Sequence, residues 1–157
     1  MTVYSTLDSE QMADRLAIRE LVDAYAYCAD RRDAAGQMAL FTADTHFVVY
    51  MNAKSEIPPQ KLHGRESLAP VFENLNSYRV TTHFNGQPRS NWTEAKRPES
   101  AIVSLITLLC AMERTASWLL LFAISTRLLS KKAGGIFAER KLMVDWIETQ
   151  PLVSSGG

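Results

Sequence analysis

The chain has 157 residues, which is enough for one domain with a buried core. Its 17 basic residues equal its 17 acidic residues, so charge gives no reason to expect a nucleic acid or a membrane as a partner. Two cysteines and three scattered histidines do not indicate a disulfide framework or a metal cluster. The first residues (MTVYSTLDSEQM) lack the basic and apolar regions of a signal peptide, so we expect a cytoplasmic protein.

The first predicted element is an amphipathic helix that runs from about residue 8 to Arg31. Asp8 or Ser9 can cap its free backbone N–H groups. Apolar residues follow at helical spacing, namely Leu16, Ile18, Leu21, Val22 and Tyr25. The helix closes on the stretch YAYCADRRD at 25–33, which carries two phenols, a thiol and two carboxylates. This concentration of reactive groups makes the stretch the first candidate for chemistry.

The rest of the chain predicts an α+β fold, in which a curved sheet wraps on a helical layer. Asp33 is the expected cap of a short second helix that ends near Phe41, and Thr42–Asp44 is an expected turn. The later elements are a strand at 45–51, a loop at 52–60, a short strand at 61–64, a helix at 66–76, strands at 78–87 and 136–149, and a tail at 152–157.

Several of these segments together resemble a known family. The segments are YAYCADRRD, LFTAD, LHGRESL, RVTTHFNGQ and FAERKLMVDWIE, and in this order they resemble the SnoaL-like branch of the nuclear transport factor 2-like superfamily over 8–87 and 136–151. The resemblance implies a single domain over 1–151 with a cone-shaped fold, in which a bent mixed sheet surrounds helices and an apolar pocket. Members include scytalone dehydratase, bile acid 7α-dehydratase, hexachlorocyclohexane dehydrochlorinase, ketosteroid isomerases and polyketide cyclases.

The resemblance also implies catalytic residues. In the dehydratase and dehydrochlorinase members, an Asp near the end of the first helix orients a His on a central strand, and that His removes a proton from the substrate. The matching positions here are Asp30 and His83, and the Tyr of the bile acid dehydratase pattern falls on Tyr25. The resemblance implies a small, apolar, cyclic ligand, no metal or organic cofactor, and a homo-oligomer, either a dimer or a trimer.

This pair of residues suits proton abstraction. An ordinary imidazole is mostly unprotonated at pH 7, and a carboxylate on its other ring nitrogen fixes the tautomer and stabilises the imidazolium. Tyr25 could donate a hydrogen bond to a leaving hydroxyl or a carbonyl. The residues by themselves leave alternatives open: His83 as a hydrogen-bonded core residue, Asp30 as a helix-end residue, and Tyr25 and Tyr27 as core aromatics with a polar tip.

The remaining polar residues receive structural roles. We assign His46 and His63 to turn and strand structure, Cys28 to apolar filling, Arg31 and Arg32 to a solvated face, and Asp145–Trp146 to packing.

Residues 88–136 differ from the rest of the chain. They contain no Asp, Tyr or His, and their Leu-rich composition favours a helical segment at about 99–131, split by Glu113–Arg114. Neither apolar run reaches the ~18–20 residues of a spanning helix, so an amphipathic or buried helical hairpin is predicted, with a membrane segment as the less favoured alternative. In the family this region supplies two long strands, so a hairpin would remove a wall of the pocket.

The genetic code suggests an origin for this segment. When codons are read from the third base of each residue, 101–107 become compatible with YCLAHH, 123–136 with YFDTFVKQEGGWY, and 91–100 with LDGSEATGV, all in one frame. These readings restore an alternating strand, an acidic glycine turn and a Gly-x-Trp strand entry. We therefore hypothesise that residues from about 88–91 to 136 are translated out of frame relative to an ancestral gene.

Two classes of function follow. The first is a cofactor-independent lyase or isomerase in which Asp30 orients His83 and Tyr25 assists. The alternative is a non-catalytic ligand-binding or oligomerisation module of the same fold, or an inactivated, frameshifted descendant. The pattern does not distinguish dehydration from isomerisation, cyclisation or dehydrohalogenation. A hydrogen bond between Asp30 and His83 would favour the enzyme.

Overall fold

A computed structural model describes residues 8–51, 59–86, 89–91, 100–112, 116–131 and 134–151. The helices are α1 (Ser9–Asp30), α2 (Ala34–Ala39) and α3 (Ala69–Glu73), with 3-10 turns at Arg65–Leu68 and Asn74–Ser77 on either side of α3. The strands are β1 (Phe41–Tyr50), β2 (Gln60–His63), β3 (Val80–Asn85), β4 (Arg89–Asn91), β5 (Ser100–Met112), β6 (Ala116–Lys131) and β7 (Gly134–Pro151). The predicted tail and most of the predicted loop at 52–60 lie outside the described residues.

The first two helices begin at side-chain caps. The Asp8 side chain accepts a hydrogen bond from the Gln11 backbone N–H at 2.7 Å, and the Gln11 side chain accepts one from the Asp8 N–H at 3.2 Å. This capping box satisfies two N–H groups that the helix itself leaves unpaired, and it selects Asp8 over Ser9. The predicted cap at Asp33 is confirmed, because its side chain accepts from the Gly36 N–H at 2.7 Å.

The strands form one mixed sheet in the order β2-β1-β7-β6-β5-β3, and β4 pairs with β5. β1 and β7 run parallel, whereas the other neighbours are antiparallel. The register shifts between Phe41 and His46 on β1 and at two points along β6–β7. Such irregularities bend a sheet, and the α+β class with a curved mixed sheet is confirmed.

The predicted helical segment at about 99–131 is wrong. The described residues of this segment, 100–112 and 116–131, form β5 and β6, which pair with each other from Ser100↔Leu129 to Met112↔Ser117. β6 also pairs with β7, and β5 also pairs with β3, so each of the two strands has a hydrogen-bonded neighbour on both sides. Propensity is a weak preference that tertiary pairing overrides. The sheet therefore keeps the two strands that a helical hairpin would have removed. Within the described part of the chain, no helix has the length and apolar character needed to cross a bilayer.

The predicted turn at Thr42–Asp44 is also wrong, since these residues belong to β1. They fall in its irregular part, where Phe41 pairs with Phe137 but the next regular pair is His46 with Glu139. The turn-forming residues thus produce a bulge instead of a chain reversal. The Thr45 hydroxyl spans this bulge by donating to the Ala138 carbonyl at 3.0 Å.

The core is rich in aromatic side chains that join the helices to β1 and β7. Tyr25 lies in its middle and meets the rings of Phe41, Phe72 and Phe137 edge-on, with centroids 5.9–6.1 Å apart. Edge-to-face pairs of this kind add to the energy of apolar burial. The full cluster comprises Ile18, Leu21, Tyr25, Phe41, Phe47, Leu68, Phe72 and Phe137. By burying one face of α1, the cluster sets the rotation of that helix and directs its other face toward β3.

Candidate active site

Helix α1 ends against the edge strand β3, where Asp30 meets His83. The His83 ring lies with Nδ1 2.7 Å from Asp30 Oδ1, and the His83 backbone N–H donates to Asp30 Oδ2 at 2.9 Å. Both carboxylate oxygens are therefore held by one residue, which restrains the rotation of the Asp30 side chain. The side chains are mostly shielded, with 11% of His83 and 25% of Asp30 exposed. The structure thus brings together the two residues that the sequence predicted as a pair.

The electrostatics of the pair determine whether the proton between Asp30 and His83 lies on the carboxylate or on the ring. Burial is the largest single influence on Asp30 and raises its pKa. The hydrogen bonds from the His83 ring and backbone, the charge of His83 and the nearby Thr81 side chain together outweigh burial, so the pKa of Asp30 lies below its ordinary value. The ionised carboxylate can only accept, so His83 Nδ1 must carry the proton. In the neutral form of the imidazole, Nε2 then keeps a free lone pair, as a general base requires.

A groove of about 330 Å³ lies beside the pair, between α1 and β3. Two aromatic residues that line it are exposed, Tyr27 at 63% and Phe84 at 70%. The described residues that line it are Arg19, Asp23, Ala26, Tyr27, Asp30, His83, Phe84 and Asn85. This lining mixes polar and aromatic groups, in contrast to the apolar pocket that the family resemblance implies. Because the aromatic core fills the buried side of α1, the groove forms along its other side.

Polar contacts hold the far end of the groove. Arg19 Nε donates to Asp23 Oδ2 at 2.8 Å, and Arg19 Nη1 donates to the Gly86 carbonyl at 3.2 Å. Asn85 Nδ2 donates to the other Asp23 oxygen at 3.1 Å. These contacts join α1 to the end of β3 along a second line, about two helical turns from Asp30. They keep the helix and strand in fixed register beside the dyad.

Tyr25 does not line the groove. Its ring is buried in the aromatic core. Burial raises the pKa of Tyr25 against the opposing influences of Arg140 and Gln37, so the phenol stays neutral at pH 7. Asp30 comes five positions after Tyr25 on the helix, so the two side chains point in different directions. The structure therefore fits the alternative of a core aromatic with a polar tip.

Sequence reasoning missed the buried cation Arg140. Its side chain is 2% exposed, and its guanidinium carbon lies 3.9 Å from the Tyr25 ring centroid and 5.1 Å from that of Phe137. Burial lowers the pKa of Arg140, although an arginine stays charged at any ordinary pH. Among the described residues it forms no salt bridge, and its Nε has no hydrogen-bond partner. The signal was its position on β7, in step with buried Ala138 and Val144.

The prediction of a solvated face is wrong for Arg32. Its guanidinium donates to Thr81 Oγ1 at 2.6 Å, to the Tyr78 carbonyl at 3.1 Å and to the Ala29 carbonyl at 3.1 Å. Arg31 is exposed as predicted, with its guanidinium carbon 5.3 Å from the Tyr27 ring centroid. The difference arises because the chain turns sharply between the two residues, which sends one side chain to solvent and the other onto β3.

The structure does not single out a metal site. His46 and His63, which we assigned to structural roles, pair across β1 and β2 with ring centroids 4.3 Å apart. No third His, Cys, Asp or Glu completes a group that could hold a metal ion in the part of the chain that the structure describes. The groove therefore remains the candidate site.

Comparison with solved structures places this architecture among several differently named proteins. A candidate scytalone dehydratase from Novosphingobium aromaticivorans aligns with a TM-score of 0.73 and 18% identity, over 90% of this chain and 91% of that one. The hexachlorocyclohexane dehydrochlorinase LinA-type3 from Novosphingobium barchaimii aligns at 0.72 and 16% identity, over 94% and 96%. The β subunit of a candidate aromatic-ring-hydroxylating dioxygenase from N. aromaticivorans aligns at 0.72 and 14% identity, over 88% and 93%. At these identities the likeness shows the fold alone.

Sequence comparison identifies the family. No curated protein matches the chain. The SnoaL-like domain matches residues 10–140, which include α1, the whole of β3 and the first part of β7. Because this match spans most of the chain, the protein belongs to the SnoaL-like family of the nuclear transport factor 2-like superfamily.

Proposed function

We propose that the protein is a cofactor-independent lyase or isomerase that abstracts a proton with an Asp30–His83 dyad. The observation that carries the proposal is the pair of hydrogen bonds between His83 and Asp30. One joins His83 Nδ1 to the carboxylate at 2.7 Å, and the other joins the His83 backbone N–H to it at 2.9 Å. A single hydrogen bond would suit a core histidine equally well. Engagement of both oxygens instead fixes the ring with Nε2 unoccupied by Asp30, in the arrangement that a general base needs.

The proposed chemical step is an elimination. His83 Nε2 takes a proton from a carbon next to an activating group, and the electron pair of the broken C–H bond forms a C=C bond. A hydroxyl leaves as water after the Nε2–H of the imidazolium returns the abstracted proton to it, or a halogen leaves as halide and the imidazolium then loses its proton to water. Asp30 stabilises the imidazolium that forms, and general base catalysis of this kind contributes about 10²–10⁴-fold. Isomerisation would use the same first step, followed by return of the proton to another carbon.

The groove supports a small cyclic substrate. Its volume of about 330 Å³ is at the lower end of ligand sites, which run from about 300 to 1,000 Å³. Tyr27 offers an exposed aromatic side chain at the groove, and its ring can contact a flat or apolar ring. The polar end of the groove, at Arg19, Asp23 and Asn85, would contact oxygen substituents.

The test uses the substrates in the names of the similar proteins as probes. Scytalone and hexachlorocyclohexane are offered to the purified protein, and dehydration is followed by absorbance and chloride release by an ion-selective electrode. We expect turnover of at least one cyclic alcohol or halide, and we expect His83→Ala to reduce it by about 10²–10⁴-fold without loss of folding. Unchanged turnover in a folded His83→Ala protein would defeat the mechanism.

A second candidate is a ligand-binding or oligomerisation module of the same fold. The observation that favours it is the TM-score of 0.72 to the β subunit of a candidate dioxygenase, equal to the score to LinA-type3. The two candidates respond differently to Asp30→Asn, which removes the charge and keeps the shape. A catalytic dyad predicts loss of turnover, whereas a module predicts that affinity for the same cyclic compounds stays unchanged.

A further inference from the structure

The sheet has an outer face, on the side away from α1. On β3, the His83 ring points toward Asp30 of that helix, whereas Val80 and Phe84 are 46% and 70% exposed. Even and odd positions of one strand lie on opposite faces of a sheet, so Val80 and Phe84 belong to the outer face. β3 therefore identifies the outer face, which the register of the strands extends across the sheet.

One row of outer positions crosses four strands and is apolar throughout. The aligned positions are Phe84 on β3, Leu108 on β5, Leu121 on β6 and Trp146 on β7. Positions that are aligned across neighbouring strands lie on the same face. Trp146, at the far end of the row, is 44% exposed, in agreement with this placement.

The outer positions of β7 form an apolar centre with a charge of opposite sign at each end. They are Lys141, Met143, Trp146 and Glu148, because the register shift between Val144 and Trp146 adds one residue. Beside Met143 and Trp146, the aligned positions of β6 and β5 are also apolar, namely Ala123 and Ile106 in one row and Leu121 and Leu108 in the other. An apolar centre within a polar rim is the anatomy of an interface.

The sequences of β5 and β6 indicate that both of their faces are covered. β5 contains the run LITLLCAM at 105–112, and β6 contains WLLLFAI at 118–124. A strand with one face in water alternates apolar and polar residues, whereas a strand buried on both faces is apolar at successive positions. In the part of the chain that the structure describes, the helical core contacts the inner face. The outer face of these strands therefore needs a cover of its own.

The size of the outer face suits a stable complex between folded chains. Between the levels of Lys141 and Gln150, the strands β1, β3, β5, β6 and β7 have about twenty outer positions. With about 4.8 Å between strands and about 6.7 Å between alternate residues, these positions cover about 640 Å². Specific interfaces of standard size bury about 600–1,000 Å² on each partner.

We propose that the outer face is covered by the same face of a second copy of this chain. The two-fold axis lies in the plane of the interface, at right angles to β7 and between Met143 and Trp146. It reverses the strand direction, so Lys141 of each copy meets Glu148 of the other, and Met143 meets Trp146. An axis along the strands would instead bring equal levels together, with Lys141 at the level of the other Lys141. The zero net charge of the chain adds no general repulsion between two copies.

The closest contact in this dimer falls on the middle strands of the sheet. β7 and β6 are central in the strand order, whereas β3 is an edge strand. Twisted sheets that pack face to face diverge toward their edges. Trp146 is therefore an anchor near the axis, where tryptophan side chains commonly dominate binding energy, and Phe84 lies at the margin.

The test is sedimentation-velocity ultracentrifugation of the full chain over a range of protein concentrations, which gives the dissociation constant of the dimer. Trp146→Ser removes the anchor. Lys141→Glu and Glu148→Lys each place like charges together, and the double variant restores opposite charges with their positions exchanged. Glu73→Lys is the matched control, since it reverses an exposed charge on α3, on the helical side of the sheet. Circular dichroism verifies that each variant is folded.

We expect a dimeric wild type. Trp146→Ser should raise the dissociation constant by about 30-fold or more, and each single charge reversal by about tenfold. The double reversal should return it to within about threefold of the wild type, and Glu73→Lys should leave it unchanged within the same range.

Four results would overturn the inference. They are a monomeric or trimeric wild type, an unchanged dissociation constant in folded Trp146→Ser, a double reversal as weak as either single one, and a monomer that co-sediments with phosphatidylcholine vesicles, which would assign the outer face to a lipid surface. If Trp146→Ser does not fold, the charge reversals decide.

Discussion

Two parts of one sheet reach the same strand structure by different routes. β1, β3 and β7 carry the β-branched, aromatic and alternating residues that predict strands, whereas β5 and β6 have a Leu- and Ala-rich composition that favours helix. β5 and β6 nevertheless pair along most of their lengths with each other and with β3 and β7. The comparison shows that a segment can become a strand because it pairs with neighbouring strands, even when its own composition favours helix.

The candidate site depends on both parts. Asp30 and His83 belong to the part with clear sequence patterns, but β3 is an edge strand whose sheet neighbour is β5. His83 pairs with Leu109, in the C-terminal half of β5. The ladder holds the inner edge of β3, which leaves the outer edge free to donate the His83 N–H to Asp30. A change in β5 would therefore reach the dyad through the backbone.

The prediction with the largest consequence for this comparison concerns the coding DNA. If residues from about 88–91 to 136 are out of frame, the gene should contain a compensating pair of insertions or deletions at these borders relative to a close homologue. A change of nearly fifty residues would then have been absorbed into β4, β5 and β6. Sequencing the gene and aligning it with a close homologue is the measurement. Continuous alignment in one unbroken frame would sink the hypothesis.

The next largest effect is expected from a substitution at Phe137, where the two parts of the sheet are in contact. This residue is fully buried on β7 and pairs with Phe41 on β1 and with Leu128 on β6. Phe137→Ala should cost about 3–5 kcal/mol of unfolding free energy, because it leaves a cavity in the aromatic core. The measurement is urea unfolding followed by both fluorescence and circular dichroism. If the two parts form one cooperative unit, both probes give the same midpoint.

A matched control is Phe84→Ala, which truncates the same residue type at 70% exposure. It should change the free energy of unfolding by less than about 0.5 kcal/mol. Different midpoints for the two probes in Phe137→Ala would mean that β5 and β6 unfold independently of the helical layer.

A smaller effect is expected from the Asp30 carboxylate. Asp30→Asn should lower the free energy of unfolding at pH 7 by about 1.5–3 kcal/mol, the usual range for hydrogen bonds to a charged group. Because the pKa of Asp30 is lowered in the folded protein, its stabilisation is present above the ordinary carboxyl pKa and is lost as the pH falls through the lowered value. The difference between wild type and variant should therefore shrink as the pH falls below about 4.

The measurement is urea unfolding of both proteins between pH 7 and pH 3. A difference that stays constant over this interval would contradict the charge-dependent role of Asp30, since the neutral variant has no carboxylate to titrate.

The smallest expected effect concerns Tyr25. Tyr25→Phe removes the buried hydroxyl and keeps the ring in the aromatic core. We expect a loss of about 1 kcal/mol in unfolding free energy and a change in turnover of less than about threefold, because the hydroxyl does not reach the groove. The measurements are urea unfolding and the substrate assay. A fall of 10²-fold in turnover with normal folding would return Tyr25 to the mechanism.

Several features were predictable from local sequence because their causes are local. The capped start of α1 follows from Asp8, and the cap of α2 follows from Asp33. The resemblance of a few short segments was enough to predict the α+β fold and to pair Asp30 with His83 across fifty-three positions. Arg32 was not predictable in the same way, because its partners Tyr78 and Thr81 are distant in sequence. A pattern of charges along a helix contains no information on which charge the chain will turn inward.

By itself, the sequence determined where chemistry could occur: a helix end with Asp30, a strand with His83, and the helix caps and strand patterns around them. These properties depend on residues close together in the chain, where propensity and hydrogen bonding within a turn suffice. The tertiary structure decided which groups face each other. It made strands of β5 and β6, placed Tyr25 in the core and opened the groove on the other side of α1, because ladder pairing and core packing act between distant residues and outweigh local preference.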